Sequence, residues 1–140
     1  MKYIMLLGIV LAVSCTPRIN KKDYLFEEIP GQTINGEKHG EWKSVYLNGN
    51  TRSVENYKDG VLHGEYLFFY SNGVLRAKRY YNMGTQVDSA FGYHDNGNIN
   101  YRKYYVNDMP NGPFVLYDTS GKIIQRGVYD QGRVIESHRP

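Results

Sequence analysis

Gly36-x-x-His39-Gly40-x-Trp42-x-x-x-Tyr46-x-x-Gly49 is followed by Gly60-x-x-His63-Gly64-x-Tyr66-x-x-x-Tyr70-x-x-Gly73, the same pattern 24 positions further on. The period continues outward from this pair. Tyr57, Tyr81, Tyr105 and Tyr129 share one register, Gly49, Gly73, Gly97 and Gly121 a second, and Gly36, Gly60, Gly84 and Gly132 a third that Asp108 completes. A fixed period without insertions marks a repeat architecture, in which each unit is stable only against its neighbours.

Asn48-Gly49, Asn72-Gly73, Asn96-Gly97 and Ser120-Gly121 each stand between a pair of runs rich in aromatic and β-branched residues. Asn-Gly supplies the two positive φ angles of a type I′ turn, so each unit reads as one hairpin, about 40 to 47 and 50 to 58 in the first. A second, looser turn such as Asp59-Gly60-Val61-Leu62-His63 leads to the next hairpin. The expected fold is all-β: a single antiparallel meander of four 24-residue hairpins at 36–59, 60–83, 84–107 and 108–132, with an edge strand and tail at 133–140. Eight or nine strands and almost no helix follow from it.

These spacings resemble the MORN-variant repeat family over about residues 36 to 132. The third unit is degenerate, with Asp88 for the glycine, Ala90 for the aromatic and Val87 for the histidine. The resemblance implies an elongated, curled single sheet used for contact with proteins or membranes. Many bacterial relatives are described as antitoxin components of toxin–antitoxin systems.

Pairing Leu47 with Asn50 and Tyr46 with Thr51 sorts the side chains into two faces. One carries Trp42, Tyr46, Tyr57, Tyr66, Phe68, Tyr70, Leu75, Ala77, Tyr81, Ile99, Tyr101, Tyr105, Phe114, Leu116, Ile123 and Tyr129, and is the expected core face. The same register sets Gly40, Gly64 and Gly112 opposite Tyr57, Tyr81 and Tyr129, where each ring could cover a residue without a side chain. In the third unit Asp88 faces Tyr105 and Gly92 faces Tyr101, which would shift that device by one pair.

The opposite face mixes Arg52, Arg76, Lys78, Arg102 and Arg126 with Phe69, Tyr80, Tyr93, Tyr104 and Tyr117. Lys78, Arg102 and Arg126 stand two strands apart, about 10 Å, as a basic ladder beside an aromatic one. The plain reading is a solvated face whose basic stems shield the rings. The functional reading is a docking surface for an acidic protein, anionic lipid headgroups or a cell-wall polymer.

At the start of the chain, Met1-Lys2 and the apolar run Tyr3 to Val13 lead into Ser14-Cys15, the pattern of a signal peptide over residues 1–14. The run is too short for a spanning helix, which needs about 20 residues. Leu11-Ala12-Val13-Ser14-Cys15 resembles a bacterial lipobox, which would make Cys15 the acylated first residue of a tether over 15–35, in the bacterial cell envelope, on the periplasmic side of the outer membrane. The alternative is an incidental cysteine in an ordinary secretory signal.

Without Lys2 the 17 basic residues fall to 16 against 14 acidic ones, a net charge of +2 that demands neither nucleic acid nor an acidic substrate. With Cys15, the single cysteine, lipidated, no thiol is left for a disulfide or metal. His39 and His63 are periodic equivalents about 10 Å apart, too far to share an ion bound at about 2 Å. They read as residues that satisfy backbone groups. No nucleophile and base, no metal cluster and no cofactor motif stands out. The expectation is a non-enzymatic, lipid-anchored module binding another protein or an envelope component. An antitoxin or immunity protein that occludes a toxin, and a carbohydrate or peptidoglycan binder, are the alternatives.

Overall fold

The computed structural model describes residues 26–140. Among them run β1 (Phe26–Ile29), β2 (Gln32–Ile34), β3 (Glu37–Tyr46), β4 (Thr51–Lys58), β5 (Val61–Phe69), β6 (Leu75–Asn82), β7 (Thr85–Tyr93), β8 (Ile99–Val106), β9 (Met109–Pro110), β10 (Gly112–Tyr117), β11 (Ile123–Asp130) and β12 (Arg133–His138). They form one open antiparallel sheet in the order β1-β3-β4-β5-β6-β7-β8-β10-β11-β12, with β2 beside β3 and β9 beside β8. No helix occurs among the described residues. The described residues therefore form the all-β meander, with 12 strands where eight or nine were expected.

The extra strands have local causes. β1 and β2 lie inside the stretch read as a tether and pair with β3. Residues 1–25, with Cys15 and the apolar run, lie outside the described residues. β9 and β10 are one strand interrupted at Asn111, whose N–H donates to the Tyr104 carbonyl at 2.8 Å. Pro110 and Pro113 flank the break and bring no N–H to the ladder.

The two kinds of turn are exchanged relative to expectation. At Asn48-Gly49 the Gly49 N–H donates to the Tyr46 carbonyl and the Tyr46 N–H to the Asn50 carbonyl, both at 2.8 Å. Gly49 has φ +86°, whereas Asn48 is not among the residues of positive φ. This is a three-residue loop, a type I turn closed by a left-handed glycine. The same bonds recur at Tyr70–Val74, His94–Asn98 and Asp118–Lys122. The connections read as looser are the two-residue type I′ turns. Asn35-Gly36, Asp59-Gly60, Met83-Gly84, Asn107-Asp108 and Gln131-Gly132 all have two positive φ values between paired strand ends. Met-Gly and Gln-Gly carry little of the Asn-Gly signal. Asn48 is needed for something else: its side-chain oxygen accepts the Asn50 N–H at 3.0 Å, and Asn72 and Asn96 repeat the bond.

Gly40 does pair with Tyr57, Gly64 with Tyr81 and Gly112 with Tyr129. The reason for the glycines differs from a covering ring, because a methyl at Gly40 would meet nothing within 4 Å. Gly40, Gly64 and Gly112 have φ of 69°, 101° and 97°, and Asp88 keeps the same left-handed backbone at 61°. The column tyrosines pack instead against the aromatic two positions after each glycine. Tyr57 meets Trp42 edge-on at 6.4 Å, and Tyr81 meets Tyr66 at 6.0 Å. Ring over glycine occurs at Gly92, where a Cβ would lie 2.1 Å from the Tyr101 ring.

The apolar core sits on this ring face and is thin. Trp42, Ala77, Ala90 and Phe114 are its buried apolar side chains among the described residues, and Ser44 and Ser53, buried beside them, share a hydrogen bond of 2.7 Å. With no second layer, most rings are half-buried.

Left-handed backbone costs a side-chain-bearing residue about 1–2 kcal/mol. Gly73→Val should therefore lower stability by about 1 kcal/mol or more. Met83, held at φ +46°, is the converse case. Met83→Asn is expected to raise stability by about 0.5–1 kcal/mol, since asparagine tolerates this backbone best among side-chain-bearing residues. Urea unfolding of both variants measures the two shifts.

Candidate binding face

A β-bulge repeats in every unit and decides which side chains share a face. Ser44 pairs with Ser53 and Val45 with Thr51, so the ladder steps over Arg52. It steps likewise over Arg76, Asn100 and Ile124. Beyond the bulge the alternation inverts. Leu75, Ile99 and Ile123, expected on the core face, therefore stand opposite Phe69, Tyr93 and Tyr117 on the other face.

Arg76 moves the opposite way. Its guanidinium lies 5.4 Å from the Phe68 ring centre and 5.3 Å from that of Tyr70, both on the ring face. Arg52 does the same, 3.8 Å over Phe26 and 5.1 Å over Phe68. Arg76 therefore leaves the set expected on the docking face. The other members, Phe69, Lys78, Tyr80, Tyr93, Arg102, Tyr104, Tyr117 and Arg126, share one face by strand alternation.

The register joins them into rows. Leu67 pairs with Lys78, Lys78 with Phe91, Phe91 with Arg102, Arg102 with Val115, Val115 with Arg126 and Arg126 with His138. Basic and apolar side chains thus alternate across the sheet, with cations about 10 Å apart. Beside this row run the pairs Phe69–Leu75, Tyr93–Ile99 and Tyr117–Ile123, all half-buried. Leu67, Phe91 and Val115 were not singled out from the sequence, although transferring the register through the period reaches them.

The cations of the row differ. Lys78 is ion-paired to Glu65, whose carboxylate also accepts the Tyr80 hydroxyl at 3.2 Å. That carboxylate and Tyr80 hold the Lys78 ammonium above its ordinary range. Arg102 and Arg126 are exposed, and neither meets a carboxylate within ion-pair distance among the described residues.

The ring face has its own charged column, 24 residues apart and missed in the sequence: Glu55, Arg79 and Lys103. Glu55 accepts the Tyr57 hydroxyl at 2.6 Å, and burial together with Glu55 pushes that phenol well above its ordinary value. Lys103 lies 5.2 Å over Tyr101 and 5.7 Å over Tyr129.

The paired histidines differ: Nδ1 of His63 accepts the Met83 N–H at 3.3 Å, whereas the buried Nδ1 of His39 has no hydrogen-bond partner among the described residues. No group of three metal-binding side chains occurs among the described residues, and they include no helix long and apolar enough to cross a membrane.

Residues 38–59 and 62–83 match the MORN repeat variant, in two stretches that begin 24 positions apart. These residues carry two MORN-variant repeats. The matches start on the strand after one type I′ turn and end at the next, so the family unit is the hairpin described above. MORN repeats are in general protein- or membrane-binding modules. No curated protein matches the sequence.

Glu65→Gln should bring the Lys78 titration down towards its ordinary value, read by NMR of the lysine side chain. A lysine raised by a partner contributes stability that is complete below its unfolded pKa and is lost as pH rises through the folded one. Both partners are partly exposed, so the change in stability should not exceed about 1 kcal/mol.

Proposed function

We propose that this MORN-variant chain is a non-enzymatic binding module, tethered to the bacterial envelope through lipidated Cys15, that docks an acidic protein or envelope polymer on its basic face. The observation that carries the reading is the row Lys78–Phe91–Arg102–Val115–Arg126. Its cations alternate with apolar side chains, and two of the three have no internal counter-charge among the described residues. Half-buried rings and branched residues beside exposed arginines offer apolar area and charge together, the mixture enriched at interface centres.

Changing Lys78, Arg102 and Arg126 together to Ser tests the face. Each surface change should alter stability by no more than about 0.5 kcal/mol. Loss of central interface contacts commonly costs upwards of about 1 kcal/mol each, and rim charges act through association rate and salt dependence. Pull-downs from the envelope at low and high salt should lose partners with the triple variant, while its thermal melt stays close to that of the wild type. Equal partners with an equal salt response would reject the docking face.

The tether is tested separately. Cys15→Ser should abolish fatty-acid labelling and leave the protein soluble or unprocessed, since several acyl chains at about 0.8 kcal/mol per buried methylene make the anchor stable. Labelling and membrane fractionation unchanged in that variant would reject lipidation at Cys15.

A further inference from the structure

The bulge that removes Arg76 from the basic face places it over a cavity on the ring face. About 330 Å³ of space lies above Ala77, walled by Phe68, Tyr70 and Tyr101, with Arg76, Arg79 and Asn100 around it. Ala77 and Gly92 form one ladder pair, so the smallest side chains of the sheet meet between strands that otherwise carry rings. Tyr101 lies across Gly92 as one wall, since a Cβ there would sit 2.1 Å from its ring.

Both arginines are set in place without a carboxylate. Arg76 is held against the rings of Phe68 and Tyr70. Burial works against the charge of Arg79, but the phenols of Tyr81 and Tyr101 more than offset it, so its guanidinium titrates above its ordinary value. No acidic side chain lines the cavity, and neither arginine forms an ion pair among the described residues. Elsewhere on the same face Lys38 has a counter-charge, pairing with Glu28, and lies 4.2 Å over Trp42.

We propose that this cavity is a binding site for a small organic dianion of about amino-acid size, such as a dicarboxylate. Two guanidiniums three residues apart on β6 reach one cavity from different positions, which suits two separated acidic groups better than a single one. Planar forks of this kind bind carboxylates bidentately. The volume is at the lower end of the range for small-molecule sites, which limits the ligand to a compact one. The site lies on the face opposite the basic row and does not depend on the function proposed for that row.

Isothermal titration calorimetry of the full chain, with succinate, acetate and inorganic phosphate at constant ionic strength, tests the proposal. Succinate should bind saturably, at least tenfold more tightly than acetate. Arg76→Gln should weaken it by tenfold or more. Asn100→Glu, which places a competing carboxylate at the rim, should do the same, while the opposite-face variant Arg102→Ser should leave it unchanged. Amide shifts in NMR should map to β6, β7 and β8. Phosphate binding as tightly as succinate would overturn the dicarboxylate assignment. No saturable binding of any of the three anions, or binding indifferent to Arg76→Gln and Asn100→Glu in variants with unchanged melts, would overturn the site.

Discussion

A sheet with no covering layer cannot rely on burial to hold its hairpins in register, and here polar ties between neighbouring tips do it. The Tyr46 hydroxyl donates to the Phe69 carbonyl at 2.6 Å, the Tyr70 hydroxyl to that of Tyr93 at 2.8 Å, and Nε2 of His94 to that of Tyr117 at 3.0 Å. Beside them the amides of Asn48, Asn72 and Asn96 donate to Ser71, Asp95 and Thr119. A carbonyl only accepts, so the His94 Nε2 must carry the proton. At the far end of the sheet the second type I′ position is tied in the same manner, with Gly60 donating to Lys38 at 3.0 Å and Gly84 to Leu62 at 2.7 Å. Where the series stops, Asp118 takes the ring position and folds its carboxylate into its own turn, accepting from Ser120 and Lys122. The Ser120 hydroxyl and the Lys122 N–H hold that carboxyl below its usual range. Stability of such an array is nearly a sum of units and of nearest-neighbour contacts.

The ties leave both faces open, and the repeated bulge then gives them different chemistry. One residue stepped over per unit sends Arg52 and Arg76 among the rings and sends Leu75, Ile99 and Ile123 to join Phe69, Tyr93 and Tyr117. The basic face thereby gains an apolar strip beside its cations. The ring face gains guanidiniums it would not otherwise hold. This bulge, repeated every 24 residues, thus shapes both candidate binding surfaces.

The period made the meander legible in the sequence, and with it the pairs Gly40–Tyr57, Gly64–Tyr81 and Gly92–Tyr101. Eight of the ten side chains expected on the basic face follow from that register. Arg52 and Arg76 were lost because a bulge has no residue signature: two arginines, an asparagine and an isoleucine fill the one position at 52, 76, 100 and 124. The turn types were exchanged for a related reason. Asn-Gly is the strongest short turn signal, yet its asparagine serves as a side-chain cap in a three-residue loop. The type I′ turns are filled by pairs as unlike as Met83-Gly84 and Asn107-Asp108. The glycine column was read as space for a ring when the backbone needed a left-handed φ, a distinction that Asp88 makes by keeping the angle without being glycine.

The chemistry of both faces depends on the ladder stepping over one residue per unit. Backbone NOE measurements on the isotopically labelled protein test this most directly. The account predicts cross-strand contacts between Phe68 and Ala77 and between Phe69 and Leu75 in the same molecule, with the equivalent step at Gly92–Tyr101 and Tyr93–Ile99. An unbroken ladder, with Phe69 opposite Arg76 and Tyr93 opposite Asn100, would return Arg76 to the basic face and contradict it.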